Sequence, residues 1–294
     1  MQPGVRFLPD LQRTNRGAEQ GDRRNESLSC LRRPGPAKIL LTAGERLPAE
    51  RYWEIDLARG IAVVTMIVFH SAFDLNFFGV LPLNVSGGFL RMLAYLTASA
   101  FIFIVGVSFT ISYARAERRL ARRDLALKYI RRGLGIFSLG LVITAVTWLF
   151  LPSVYIVFGI LHFIGIAILL APLFVRFGTT NLILGTACII AGYVTNAVSG
   201  PWPLLWLGIH PASFMSLDYV PLLPWFGLVL IGMSCGYLFY PGGERGFSLR
   251  AAEPVVARPF SVLGRHSLLI YFLHQPLIIL LIAVLAPGVM PGVW

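Results

Sequence analysis

Seven long apolar segments, most of them separated by short breaks that contain Gly or Pro, occupy the greater part of this chain. A run of about 18 or more apolar residues is long enough to cross a bilayer as one helix. The segments lie at about 55–75, 89–113, 133–151, 154–175, 181–199, 220–240 and 264–286. They predict an all-α, polytopic membrane helix bundle with about seven transmembrane helices, or eight if part of 202–215 re-enters the membrane.

The composition excludes a soluble globular enzyme. Hydrophobic residues make up 56% of the chain and charged residues only 13%, whereas about 25% of a soluble domain is charged. The mean hydropathy is +0.72. The sequence contains no HExxH spacing, Walker loop, nucleophile elbow or dinucleotide-binding fingerprint, so we expect no metal ion and no nucleotide-dependent chemistry of those kinds.

The distribution of basic residues predicts the orientation in the membrane. The net charge is +11, and the Lys and Arg residues concentrate in 1–51, 115–132 and 245–265. Cytoplasmic loops of membrane proteins carry such an excess, so we expect the N-terminus inside and the C-terminus outside. The same distribution argues against a nucleic-acid partner. We expect a multi-pass protein of a bacterial or archaeal plasma membrane, with the lipid bilayer as its surroundings.

Two regions are predicted. Residues 1–50 are rich in Arg, Pro and Gly and have no apolar period, which is typical of a disordered basic cytoplasmic tail. An initiation site assigned too far upstream would also account for them. Residues 51–294 form the predicted transmembrane domain.

The first apolar segment carries four ionisable residues, which we call the polar stripe: Asp56, Arg59, His70 and Asp74. At ~100° per residue, all four fall within an arc of about 60° on a helix. Ionisable groups inside a membrane helix are costly and normally face the protein interior or a water-filled cavity. The polar stripe therefore indicates a buried functional face.

The order of these residues along the helix favours a division of roles. Arg59 lies near the cytoplasmic end, where a cation suits a phosphorylated cofactor, and His70 lies ~16.5 Å further along, where an imidazole suits proton transfer. Asp74, one turn beyond His70, is placed to fix its tautomer. The alternatives are an interfacial ion pair of Asp56 with Arg59, and a packing histidine at position 70.

The spacing of Arg59 and His70 resembles the signature of the transmembrane acyltransferases, the superfamily that includes acyltransferase family 3. A closer resemblance is to the heparan-α-glucosaminide N-acetyltransferase catalytic-domain family, over roughly residues 51–286. It rests on EIDLARGIA at 54–62, FGILHFIG at 158–165, PLLPWFG at 221–227 and LGRHSLLIY at 263–271. The chain differs from the lysosomal members of the family, which are longer and have Asn where this chain has His70.

The resemblance implies acyl transfer across a membrane. Acetyl-CoA or another acyl-CoA would bind from the cytosol, and an amine or hydroxyl of an extracytoplasmic sugar or lipid-linked sugar would accept the acyl group. Arg59 would contact the donor together with Asp56, and His70 would be the catalytic histidine, supported by Asp74. His70 could remove a proton from the acceptor or carry the acyl group itself, and the sequence leaves both open.

Other polar residues are further candidates. For the donor phosphates they are Arg131, Arg132, Arg265 and His266, and for the acceptor His162, Arg91, Asp218, His274 and Gln275. The alternatives are a basic run that lies against anionic lipid, hydrogen-bonded histidines between helices and solvated loop residues.

Two other classes of function remain open. A proton-coupled or small-solute transporter would use His70, Asp74 and His274 as a relay. A non-catalytic membrane partner would bind another subunit through the polar stripe. A homo-oligomer also remains open.

Overall fold

The computed structural model describes residues 51–249 and 252–286. The predicted tail at 1–50 lies outside the described residues. Eight α-helices form the described part of the chain, and no strand is found there. They are α1 Trp53–Phe77, α2 Gly88–Glu117, α3 Arg122–Phe150, α4 Ile160–Phe174, α5 Asn181–Asn196, α6 Leu222–Phe239, α7 Arg258–Arg265 and α8 Ser267–Leu285. The all-α prediction is confirmed.

Six segments of the described residues are long and apolar enough to cross a membrane. Five are single helices: α1, α2, α3, α6 and α8. The sixth runs from Ile160 to Asn196 and contains both α4 and α5. Gly178 interrupts it with φ of 51°, a left-handed conformation that a helix does not contain. The membrane bundle is thus confirmed, while the count of seven crossings and the N-in orientation stay predictions.

Three predicted boundaries differ from the structure. The third helix begins at Arg122 rather than 133, so most of the basic run is helical and only residues 118–121 connect α2 to α3. The fourth begins at Ile160 rather than 154. The last predicted segment, 264–286, is divided at His266, whose φ and ψ of −103° and 15° separate α7 from α8. Hydropathy misses these features because it does not detect polar helix or a change of direction within an apolar run.

The centre of the bundle lies between α2, α4 and α6. Its side chains include Ile102 and Phe109 of α2, Phe163 of α4, and Val229 and Leu230 of α6, all at most 3% exposed. Residues 202–207 form a short 3₁₀ helix of six residues instead of a re-entrant α-helix.

Two glycines bring α7 directly against α1. A Cβ atom on Gly60 would overlap the carbonyl oxygen of Phe260, and a Cβ atom on Gly264 would overlap the carbonyl oxygen of Asp56. Small residues at a crossing allow two helix backbones to approach this closely. The contact fixes α7, and hence the start of α8, at the level of Asp56 and Arg59.

Candidate functional site

The polar stripe of α1 faces other helices rather than the outside of the bundle. Asp56 and Asp74 are 7% and 3% exposed. Residues of α7 and α8 contact the stripe at both ends, as described below. This arrangement places the ionisable groups where the cost of charge in a membrane can be offset by partners.

At the cytoplasmic end predicted for α1, Asp56 holds two arginines. Its Oδ1 accepts a hydrogen bond from Nη1 of Arg59 at 3.2 Å, and its Oδ2 accepts one from Nε of Arg265 at 3.3 Å. Nη2 of Arg59 donates to Oγ of Ser108 on α2 at 2.8 Å. Nη2 of Arg265 contacts Glu253 at 3.4 Å. The side chain of Arg59 is 24% exposed, so its charge remains partly accessible.

Positive charge is in excess around Arg59. Arg51 and Arg132 lie within electrostatic range of its guanidinium and repel it. We call Arg51, Arg59, Arg132 and Arg265 the guanidinium cluster. Asp56 and Glu253 are the carboxylates paired with it, so a net positive charge remains. Guanidinium groups match phosphate geometry well, and this cluster is suited to an anionic ligand.

Two other residues that the sequence predicts to bind the donor phosphates, Arg131 and His266, lie at the edge of the guanidinium cluster. Arg131 is exposed on α3. His266 is also exposed, and its Nδ1 lies 2.9 Å from the carbonyl oxygen of Val262, close to the end of α7. The same carbonyl also accepts the backbone N–H of His266 at 3.3 Å.

At the other end of the polar stripe, α1 and α8 form what we call the histidine cluster: His70, Asp74, His274 and Gln275. The ring centroids of the two histidines are 4.9 Å apart, with an interplanar angle of 67°. Oδ1 of Asp74 accepts a hydrogen bond from Nε2 of Gln275 at 3.4 Å. Asp74 thus bonds to Gln275 rather than to His70, whose tautomer the sequence analysis expected it to fix.

The histidine cluster contains buried polar atoms that lack a hydrogen-bond partner among the described residues. They are Nδ1 of His70, Oδ2 of Asp74, Nε2 of His274 and Oε1 of Gln275. A buried polar atom without a partner costs about 1–3 kcal/mol. Carboxylate and amide oxygens accept hydrogen bonds, so the cluster is suited to a group that donates them.

His162 has a different environment. It is 2% exposed, and both of its ring nitrogens are engaged. Nδ1 accepts a hydrogen bond from the backbone N–H of Gly159 at 3.3 Å, and Nε2 lies 3.3 Å from Oγ1 of Thr144. Because that hydroxyl already donates to the carbonyl of Ile156 at 2.7 Å, Nε2 is the donor. His162 therefore stabilises the N-terminal turn of α4 through the hydrogen bonds of both ring nitrogens.

Asp218 also holds the start of α4. It lies in the connection before α6, and its Oδ2 accepts a hydrogen bond from the backbone N–H of Ile160 at 2.9 Å. Burial raises the pKa of its carboxyl to about 6. Asp218, His162 and Tyr271 line a small, narrow pocket. The ring of Tyr271 lies 5.6 Å from that of His274, so Tyr271 connects this pocket to the histidine cluster.

Arg91 is exposed at the start of α2 and contacts its own helix. Its Nη2 donates to the hydroxyl of Tyr95 at 2.8 Å, and its guanidinium lies 4.6 Å from the centroid of that ring. Tyr95 in turn stacks on Trp225 at 6.4 Å. These contacts do not connect Arg91 to the histidine cluster.

Two residues of the site, Tyr271 and Ser108, are not among the candidates predicted from the sequence. Tyr271 lies three positions before His274, a spacing that places both on one helical face and would have identified it. Ser108, the partner of Arg59, is a single hydroxyl in an apolar segment, and no sequence signal distinguishes it.

Comparison with protein families decides the identity of the domain. The family model described as heparan-alpha-glucosaminide N-acetyltransferase, catalytic, matches residues 51–276. The chain belongs to this family. No curated protein and no solved structure matches the chain.

Membership in the heparan-alpha-glucosaminide N-acetyltransferase family, together with the apolar helices, indicates a membrane acetyltransferase. The matched region contains the whole polar stripe and extends through His274 and Gln275. Within residues 51–249 and 252–286, no group of three or more His, Cys, Asp or Glu side chains is arranged to hold a metal ion.

Proposed function

We propose that this protein is an integral-membrane acyltransferase that moves an acetyl or other acyl group from acyl-CoA to an extracytoplasmic carbohydrate. The acceptor group is an amine or hydroxyl of a sugar or lipid-linked sugar. The observation that carries the proposal is the arrangement along the polar stripe: a guanidinium cluster at one end and a histidine cluster with unpartnered polar atoms at the other. The N-in orientation, the plasma-membrane location and the wider superfamily placement are parts of the same proposal.

The guanidinium cluster binds the phosphates of the donor. Arg59 is held by Asp56 and Ser108, which limits its side-chain motion before the ligand arrives and so lowers the entropic cost of binding. Arg132 and Arg265 add positive charge from two other helices. Arg131 and His266 extend this surface at its exposed edge.

The histidine cluster carries out the transfer. The acceptor amine or hydroxyl attacks the thioester carbonyl carbon, and an imidazole removes its proton. Oδ2 of Asp74 and Oε1 of Gln275 accept hydrogen bonds from the acceptor and orient it. The cluster holds two imidazoles, His70 and His274, with ring centroids 4.9 Å apart, so one can take the proton while the other lies beside the acceptor.

Three of the candidates for binding the acceptor lie outside the histidine cluster: His162, Asp218 and Arg91. His162 and Asp218 hold the start of α4, and they reach the histidine cluster only through Tyr271. We therefore propose that they shape the acceptor site instead of reacting. Arg91 lies at the end of α2 that the proposed topology places outside, where it would meet the acceptor before the histidine cluster does.

The test is acyl-CoA-dependent transfer by the purified full chain in detergent or vesicles. We expect Arg59→Ala to weaken acyl-CoA binding in a calorimetric titration, and His70→Ala to impair transfer while acyl-CoA binding persists. Arg176→Ala and His210→Ala are matched controls, because these residues lie outside both clusters. Full activity of folded Arg59→Ala and His70→Ala variants contradicts the proposal. Accumulation of a solute in vesicles without an acyl donor supports the transporter instead.

A further inference from the structure

The two imidazoles of the histidine cluster are held differently by the fold. Nδ1 of His274 lies 2.6 Å from the backbone carbonyl oxygen of Tyr271 and 3.2 Å from that of Ile270. A carbonyl oxygen can only accept a hydrogen bond, so Nδ1 of His274 carries the hydrogen. In a neutral imidazole the other nitrogen then has a free lone pair. The backbone of α8 thus fixes the tautomer of His274.

The free nitrogen of His274 is placed to receive a proton. Nε2 is on the side of the ring opposite to Nδ1, so it points away from the α8 backbone. It is buried and has no hydrogen-bond partner among the described residues. The ring approaches His70 at 4.9 Å between centroids. A buried base with its lone pair free and its tautomer fixed is prepared to accept a proton from a group bound beside it.

No such constraint acts on His70. Its Nδ1 is buried without a partner in the described part of the chain, and Asp74 bonds to Gln275 instead. Either nitrogen of His70 can therefore carry the hydrogen.

We propose that His274 is the general base of the acyl transfer and that His70 holds the acceptor beside it, an inference that rests on the proposed function. The acceptor nitrogen or oxygen forms a bond to the thioester carbonyl carbon, and its proton moves to Nε2 of His274. The carbon–sulfur bond then breaks, and the departing thiolate takes the same proton from the imidazolium. The products are the acylated acceptor and free CoA thiol, and His274 is neutral again.

The groups around His274 support this assignment. From α1, His70 faces it, and Asp74 belongs to the same cluster through its hydrogen bond with Gln275. From α8 itself, Tyr271 contributes its carbonyl and its ring, and Gln275 bonds to Asp74. Asp218 lies in the pocket beyond Tyr271.

Two substitutions separate the roles of the histidines. His274→Asn keeps a side-chain amide that can donate to the Tyr271 carbonyl but removes the base. We expect it to lower kcat by about 10²–10⁴-fold, to leave KM for both substrates within about threefold, and to remove the acidic limb of the pH–rate profile. We expect His70→Asn to raise KM for the acceptor and to retain that limb. His210→Asn serves as the control and should behave as the wild type.

A spectroscopic measurement tests the tautomer independently of turnover. In the full chain with ¹⁵N-labelled histidine, the resonances that disappear in His274→Asn belong to His274. We expect those of Nδ1 and Nε2 to have the chemical shifts of a protonated and an unprotonated nitrogen, respectively. If His274→Asn does not fold, His274→Gln is used to assign the His274 resonances. The tautomer is still read from the wild-type spectrum.

The outcomes distinguish the two proposals. Wild-type transfer with an unchanged pH–rate profile in His274→Asn, or a protonated Nε2, overturns the assignment of His274 and leaves the proposed function intact. Absence of acyl transfer by the folded wild type refutes the proposed function and this assignment together.

Discussion

The contact between α1 and α7 leads to a stability prediction with a built-in control. At Gly60, an added Cβ atom would overlap the carbonyl oxygen of Phe260 and lie 2.5 Å and 3.0 Å from its carbonyl carbon and Cα. These are backbone atoms, so no side-chain rotation can relieve the overlap. Gly135 on the exposed face of α3 has nothing within 4 Å of the same added atom.

The magnitudes follow from these surroundings. Overpacking a close contact costs about 1–3 kcal/mol, and we expect Gly60→Ala to fall at the upper end, because one of the two helices must move. Ala is favoured over Gly inside a helix by about 0.5–1 kcal/mol. Gly135→Ala should therefore be stabilising by about that amount. At about 2–4 °C per kcal/mol for a chain of this size, Gly60→Ala should melt about 5–10 °C below the wild type.

The assay is thermal unfolding of both variants in the same detergent, with acyl-CoA binding as a second measurement. Separation of α7 from α1 would draw Arg265 away from Asp56, now 3.3 Å distant. Gly60→Ala should therefore bind the donor more weakly even where it is folded, and Gly135→Ala should not. Equal melting temperatures for Gly60→Ala and Gly135→Ala would refute the close approach of the two helices.

Three further substitutions test other contacts. Glu54→Gln weakens the paired hydrogen bonds from Arg245, at 2.8 and 2.7 Å, and should lower stability by about 1.5–3 kcal/mol; a melting temperature equal to that of the wild type would contradict this. The pKa of Asp218 is about 6 in the fold against an ordinary 3.8, so its contribution to stability is complete below pH ~4 and is lost as the pH rises through 6. Between pH 4 and 7, the wild type should lose about 3 kcal/mol of stability that Asp218→Asn keeps. Thermal melting of both proteins at each pH measures this difference, and parallel curves of melting temperature against pH would contradict it. His162→Phe removes two hydrogen bonds and should lower the melting temperature without altering the pH–rate profile, whereas loss of the acidic limb would make His162 a participant in proton transfer.

The sequence predicts those features that depend on local pattern. The polar stripe is visible because its members recur on one helical face of an otherwise apolar segment. The N-terminal turns of α3 are missed since their arginines lower the hydropathy of residues that are nevertheless helical. The break at His266 is missed because α7 is polar and lies almost entirely before residue 264, where the apolar segment begins, and hydropathy does not report a change of helix direction.

Partners distant along the chain are harder to predict. His70 contacts His274, and Asp74 contacts Gln275, across about 200 residues for which periodicity gives no information. The sequence makes His162 a candidate for binding the acceptor, with a hydrogen-bonded histidine between helices as the alternative. Its two nitrogens are instead used by Gly159 and Thr144, contacts that depend on the tertiary fold.

The contrast between His162 and the histidine cluster bears on where the chemistry takes place. His162 and His274 are both buried, at 2% and 6% exposed, and the fold gives His162 a partner for each nitrogen. Asp56 likewise has two arginine partners. At His70 and His274, the same chain leaves nitrogens unpartnered within the described residues, although each such atom costs about 1–3 kcal/mol. This contrast supports the proposal that a reacting group provides the missing hydrogen bonds at His70 and His274.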